Sequence, residues 1–133
     1  MSEASWQTMM REFPAAHVVT GLLPREDAAA GLAEGRSSLL RRLTGTLCLS
    51  GMYAIAEIVE RDGTHIQCAL ASASDADQLA EAVGASDIGC HSCWASRRRF
   101  LFDDAAAKAM EQALGRRAPA EAIPPSGKPL ALP

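Results

Sequence analysis

Segments with a helical apolar period alternate with short β-branched runs along this chain, and that alternation predicts an α+β fold. Two further features support it. Asp62-Gly63 sits between two apolar runs, the mark of a hairpin. Polar caps and glycines bracket the helical stretches around Leu79 and Met110.

At 133 residues, 48% hydrophobic and 22% charged, the chain has the size and composition of one globular domain. The apolar fraction is rich in alanine, with only two tryptophans, one tyrosine and three phenylalanines. So light a core suggests helix-rich packing supported by a second subunit, and a homodimer is expected. A net charge of −3 and a pI near 5.6 weigh against nucleic-acid binding. No apolar run approaches the roughly 18 residues that would span a bilayer. Met1–Trp6 lacks the basic and apolar blocks of a signal peptide, so the expected location is cytoplasmic, with reduced cysteines.

In order, Ser5–Phe13 reads as an amphipathic helix, capped by Ser5 and stopped by Pro14. Ala15–Leu23 is the first strand. Pro24 opens a helical run to Leu43, with a break expected near Gly35 and an end at Thr44-Gly45. Thr46–Ser50 alternates like a strand until Gly51. Met52–Glu60 fits either a strand or a helix, and the Asp62-Gly63 turn favours the strand, with Thr64–Ala71 as its partner.

A two-residue turn at Asp62-Gly63 pairs Val59 with Ile66, Glu57 with Cys68 and Ile55 with Leu70. It leaves Glu57 on an apolar face, where a carboxylate must be paired, protonated or marginal. A helix follows from Ser74 to Gly84, then an irregular stretch from Ile88 to Trp94, and Arg97–Phe102 is a strand. Asp103 caps the last helix, with Gly115 at its end.

Residues 1–14 thus form an N-terminal helix and 15–117 a single α+β domain. Residues 118–133, with five prolines, form an extended tail. Between the terminal helices the order is ferredoxin-like, βαββαβ: an antiparallel sheet with helices on one face and the other face free.

Three groups of residues could carry function. Trp6, Met9, Met10 and Phe13 share one helical stripe, which either packs on the domain or docks a partner. Arg97 and Arg99 alternate with Arg98 along a strand and suit an anionic ligand or a solvated edge, with Arg36, Arg41 and Arg42 as helpers.

Cys90-x-x-Cys93 has the spacing of a zinc-binding pair, and Cys68 and His91 are the first candidates to complete a site; Cys48, His17 and His65 are others. The same pair could be redox-active, with His91 lowering a thiol pKa. A nucleobase-deaminase pattern around Glu57 and Cys90-x-x-Cys93 fails, because Ile55 holds the first ligand position and Gly89 replaces the proline. Serine-hydrolase, phosphate-loop, dinucleotide and His-Glu-x-x-His motifs are absent.

The expected function is a small cytosolic binding or interaction module, non-enzymatic and needing no cofactor, which takes a partner protein or small ligand. The alternative is a metal- or thiol-dependent protein centred on Cys90 and Cys93: a zinc-dependent or redox enzyme, or a metal sensor.

Overall fold

The computed structural model describes residues 3–89 and 94–117. The proline-rich stretch 118–133 and Cys90–Cys93 lie outside them. The elements are α1 (Trp6–Glu12), β1 (His17–Pro24), α2 (Arg25–Ala29), α3 (Ala33–Thr46), β2 (Tyr53–Glu60), β3 (Gly63–Leu70), α4 (Ala73–Val83), β4 (Ser86–Asp87), β5 (Ser96–Leu101) and α5 (Asp104–Arg117).

The strands form one five-stranded sheet in the order β2-β3-β1-β5-β4. Neighbouring strands are antiparallel except β1 and β5, which run parallel. The α+β class therefore holds, but a four-stranded, all-antiparallel βαββαβ order does not form. The first half follows expectation: β1, helices, then the β2–β3 hairpin with β3 against β1. After α4 the chain makes the two-residue strand β4, reverses, and enters as β5 beside β1. The extra reversal turns an expected antiparallel neighbour into a parallel one.

Helices cover both faces, unequally. The larger core joins Val19, Leu23, Ile55, Ile66 and Leu70 of the sheet to Leu39, Leu40 and Leu43 of α3, Leu79 of α4, and Met110 and Leu114 of α5. On the opposite, outer face α1 lays Met9 over Val18, Ala54 and Ala69, with Trp6 edge-on to Trp94. Ser5 caps α1 as its sequence suggests, accepting from Thr8 N at 3.1 Å. In β1, Gly21 makes room for aromatic packing, because a Cβ there would lie 2.7 Å from the rings of both Phe100 and Phe102.

Met52–Glu60 resolves as strand, but the hairpin register sits two residues from the expected one. Glu60 pairs with Gly63 around Arg61-Asp62, so Val59 faces Thr64, Glu57 faces Ile66 and Ile55 faces Cys68. A shift of two preserves every side chain's face. Gly63 is needed for a different reason from the turn centre. Its φ is +146°, and it pairs with Pro24 as well as Glu60. A Cβ there would fall 2.0 Å from Leu23 O. Glu57 escapes the apolar cost by lying on the edge strand, where it accepts a hydrogen bond from Ser37 Oγ.

Three boundaries differ from the sequence reading. The helical run breaks at Gly31 (φ +83°) and continues through Gly35. Residues 47–50 form a loop, not a strand. Leu47 and Leu49 are buried and Cys48 is exposed, so the alternation records burial alone. Cys48 adopts φ +55°. Finally, α5 runs past Gly115 to Arg117. Gly84 ends α4 in the left-handed conformation, as expected.

The loop is held by Asp75, buried at the start of α4. Its carboxylate accepts from Ser50 N and Oγ at 3.1 Å and from Gly51 N at 2.8 Å. Asp75→Ala removes three hydrogen bonds from a buried carboxylate to the half-exposed donors of Ser50 and Gly51 and should cost about 1.5–3 kcal/mol in urea unfolding, the usual worth of a hydrogen bond to a charged group, since water can re-pair the donors. Gly63→Ala should also destabilise. Gly35→Ala, in open space within α3, should stabilise by about 0.5–1 kcal/mol. Equal effects of the two glycine substitutions would contradict the close approach at Leu23.

Candidate functional site

The site is what α1 leaves uncovered on the outer face. Outward side chains fall in rows across the sheet: Ala54, Ala69, Val18 and Arg97; then Ala56, Gln67, Thr20 and Arg99; then Ile58, His65, Leu22 and Leu101. The first row begins under Met9 of α1. Beyond it Thr20 is still buried, Gln67, His65 and Leu22 are half-buried, and the face opens at Arg99 and Leu101, the latter 54% exposed.

The three arginines of β5 divide as strand alternation requires. Arg98 turns to the core side, donating to Ala76 O and pairing with Asp77 on α4. Arg97 and Arg99 face outward, and neither has an ion pair or hydrogen bond among the described residues. Two of the other basic candidates are committed elsewhere. Arg36 pairs with Asp104 at 2.6 Å and lies over the Phe102 ring. Arg41 holds Glu3 through its Nε at 2.9 and 3.1 Å. Arg42 is exposed.

Arg97 borders an open cleft of about 490 Å³ lined also by Glu60, Arg61, Asp62, His65 and Gln67. His65 Nε2 lies 2.9 Å from Asp62 Oδ1. That hydrogen bond is the main cause holding the Asp62 carboxyl below its ordinary range, with Arg99 adding a smaller electrostatic pull. Gln67 Oε1 is buried with no hydrogen-bond partner among the described residues. Native interiors rarely tolerate such an atom without a ligand, water or ion to satisfy it. A second cleft, about 510 Å³, lies between α2 and the hairpin, where Val59 is 82% exposed.

The stripe Trp6, Met9, Met10 and Phe13 is spent mostly within the chain. Met9 is fully buried, Trp6 and Met10 pack against the same outer-face core, and only Phe13 is exposed. Of the metal candidates, Cys90, His91 and Cys93 lie outside the described residues. Cys68 is fully buried in the main core, and burial pushes its thiol well above the ordinary value of 9.0. A metal binds thiolate, so Cys68 sits where thiolate is disfavoured. No cluster of three His, Cys, Asp or Glu that could hold a metal occurs among the described residues. Cys48 is exposed. His17 Nδ1 lies 2.9 Å from Ser96 Oγ at the end of the β1–β5 pair.

That Arg97 and Arg99 share one face and Arg98 the other was legible from strand alternation. Gln67 was not, because a polar residue at an outward strand position looks like an ordinary solvated side chain. No helix among the described residues is long and apolar enough to cross a membrane. Comparison with protein-family models, curated proteins and solved structures gives no match.

Brief alkylation of the native protein followed by peptide mapping should label Cys48 and spare Cys68. The raised Cys68 pKa also fixes a sign. Its contribution to stability is complete below the unfolded value near 9.0 and is lost as pH rises toward the folded value. Tyr53, raised first by burial and then by Glu3, acts in the same direction. Denaturant stability should fall above about pH 9, and less steeply in Cys68→Ala. Equal slopes would remove Cys68 as a cause.

Proposed function

We propose that the chain is a non-enzymatic binding module whose recognition surface is the uncovered part of the outer sheet face. The observation that carries this is the pair of guanidiniums, Arg97 and Arg99, without ion pair or hydrogen bond among the described residues, on the same face as the exposed Leu101. Recognition sites combine apolar surface with a few convergent polar groups in this way. A small ligand or a segment of a partner protein would satisfy both. Self-association into a homodimer belongs to the same proposal, and the exposed Phe13 and Leu101 supply apolar surface for it.

A metal- or thiol-dependent role for Cys90 and Cys93 is the second proposal. What favours it is His17, hydrogen-bonded to Ser96 three residues beyond Cys93 in the chain, which brings an imidazole to that end of the sheet. Elemental analysis decides it. Stoichiometric zinc or iron lost in Cys90→Ser would move the function there.

For the leading proposal, a fragment library titrated against ¹⁵N-labelled protein should shift amide resonances of Thr20, Gln67, Arg97, Arg99 and Leu101 together. Hits confined to the α2–hairpin cleft or to the segment around His17 would overturn it. Sedimentation equilibrium on wild type and Leu101→Asp reports the dimer; a monomer in both removes that part.

A further inference from the structure

The two edges of the sheet differ in length and in cover. On one side the last strand, β4, has two residues, and so short an edge offers little to a stray strand. On the other side β2 has eight residues. Its first half is covered: Tyr53 O accepts from Ala4 N at 2.8 Å, and Ile55 O accepts from Arg41 Nη2 at 3.4 Å. These bonds identify the backbone groups that point away from β3. Backbone direction alternates along an antiparallel strand, so Glu57 and Val59 follow Tyr53 and Ile55 and turn their N–H and C=O groups to the edge. Neither has a backbone partner on that side among the described residues. The Val59 side chain is 82% exposed.

This free half of the edge is complementary to itself. Glu57 and Arg61 stand two positions either side of Val59. Glu57 lies on the α3 side of the sheet, where it meets Ser37, and alternation places Val59 on the same side. Arg61 opens the turn, is exposed, and has no ion pair or hydrogen bond among the described residues. Two copies laid antiparallel about a two-fold axis at Val59 set Val59 against itself and Glu57 against Arg61 twice. Opposite charges facing each other across such a pair stabilise it, and like charges destabilise it. An axis at Glu57 would set that carboxylate against its own copy. An axis at Ile58 would set Glu57 against Val59, and Arg61 against Ile55, whose carbonyl is already taken. With the axis at Val59 the overlap is 57–61, and the covered residues Tyr53 and Ile55 lie outside it.

We propose that the free half of β2 is a self-pairing edge, to which a second copy of this chain adds its own β2 antiparallel about Val59. Val59 exchanges both backbone hydrogen bonds with its counterpart, the two valine side chains meet, and a Glu57–Arg61 pair closes each end. So short an overlap belongs to the weak class of interfaces. The proposal rests on the self-association part of the binding-module reading and assigns it a surface. Leu101 lies three strands away, so the two surfaces are tested separately.

Sedimentation equilibrium of the full chain should show a monomer–dimer equilibrium. Val59→Pro removes an N–H that has no partner in the monomer, and proline is tolerated where a strand's N–H faces solvent. That variant should lose the dimer and keep the wild-type thermal unfolding. Arg61→Glu and Glu57→Lys should each weaken self-association at least about tenfold, because each sets like charges opposite one another twice. Mixed in equal amounts, these two variants should associate with each other about as tightly as wild type does, since both facing pairs are again of opposite sign. Glu57→Lys also gives up the hydrogen bond from Ser37 Oγ, and recovery in the mixture excludes a folding defect as the cause of its loss.

Two folded variants that fail to associate when mixed would overturn the register. An undiminished dimer in Val59→Pro would overturn the edge assignment, and its loss in Leu101→Asp instead would leave self-association standing on the outer face. A wild-type chain that stays monomeric removes self-association altogether. If that monomer shifts its Glu57 and Val59 amides on titration with an extended peptide, the edge takes a foreign strand and the second-copy assignment falls.

Discussion

Strand β1 must be covered on both faces, and the rest of the molecule follows from that. Val18, Val19, Thr20 and Gly21 are buried in succession at the centre of the sheet. A strand buried on both sides needs a layer above and a layer below. The three longer helices, α3, α4 and α5, supply one layer over the main core. The other falls to α1, seven residues and about 10 Å long at 1.5 Å per residue. Strand β1 spans eight residues, about 26 Å at 3.3 Å each. The cover is shorter than the strand, and the outer face beyond it, where Arg99 and Leu101 of β5 are exposed, is the candidate site.

That shortfall explains why the N-terminal stripe has little left to offer a partner. Trp6, Met9 and Met10 are needed to close the outer face over Ala54, Ala69 and Val18. Small residues beneath the helix let it approach closely, so Met9 fills its place completely. The N-terminal segment is held to the sheet edge as well, through Ala4 N to Tyr53 O and through the Glu3–Arg41 pair.

Charge is distributed with the same economy. Arg36, Arg41 and Arg98 each tie one element to another, to Asp104, Glu3 and Asp77 respectively. Arg97 and Arg99, one residue either side of Arg98, have no such partner among the described residues. The difference comes from strand alternation: even positions of β5 look toward α4, and odd positions look toward the open face. Three consecutive arginines therefore have two unlike roles.

Element types and faces were decided locally. A 3.6-residue period with Ser5, Asp103 and Gly84 at its ends specifies helices by backbone chemistry within a few residues. A two-residue period assigns Ile55, Ile66, Cys68 and Leu70 to one face whatever the register. That Arg97 and Arg99 share one face was legible for that reason. What needed the tertiary structure was everything that depends on distant partners. The parallel union of β1 with β5 follows a reversal at β4 that the sequence does not announce. The hairpin register depends on Leu23 O pressing against Gly63. The loop reading of 47–50 depends on Asp75, which captures backbone donors 24 and 25 positions away. Gln67 became conspicuous only when its neighbours left Oε1 buried and unpaired, since satisfaction of a polar atom is a property of its surroundings and not of its sequence position.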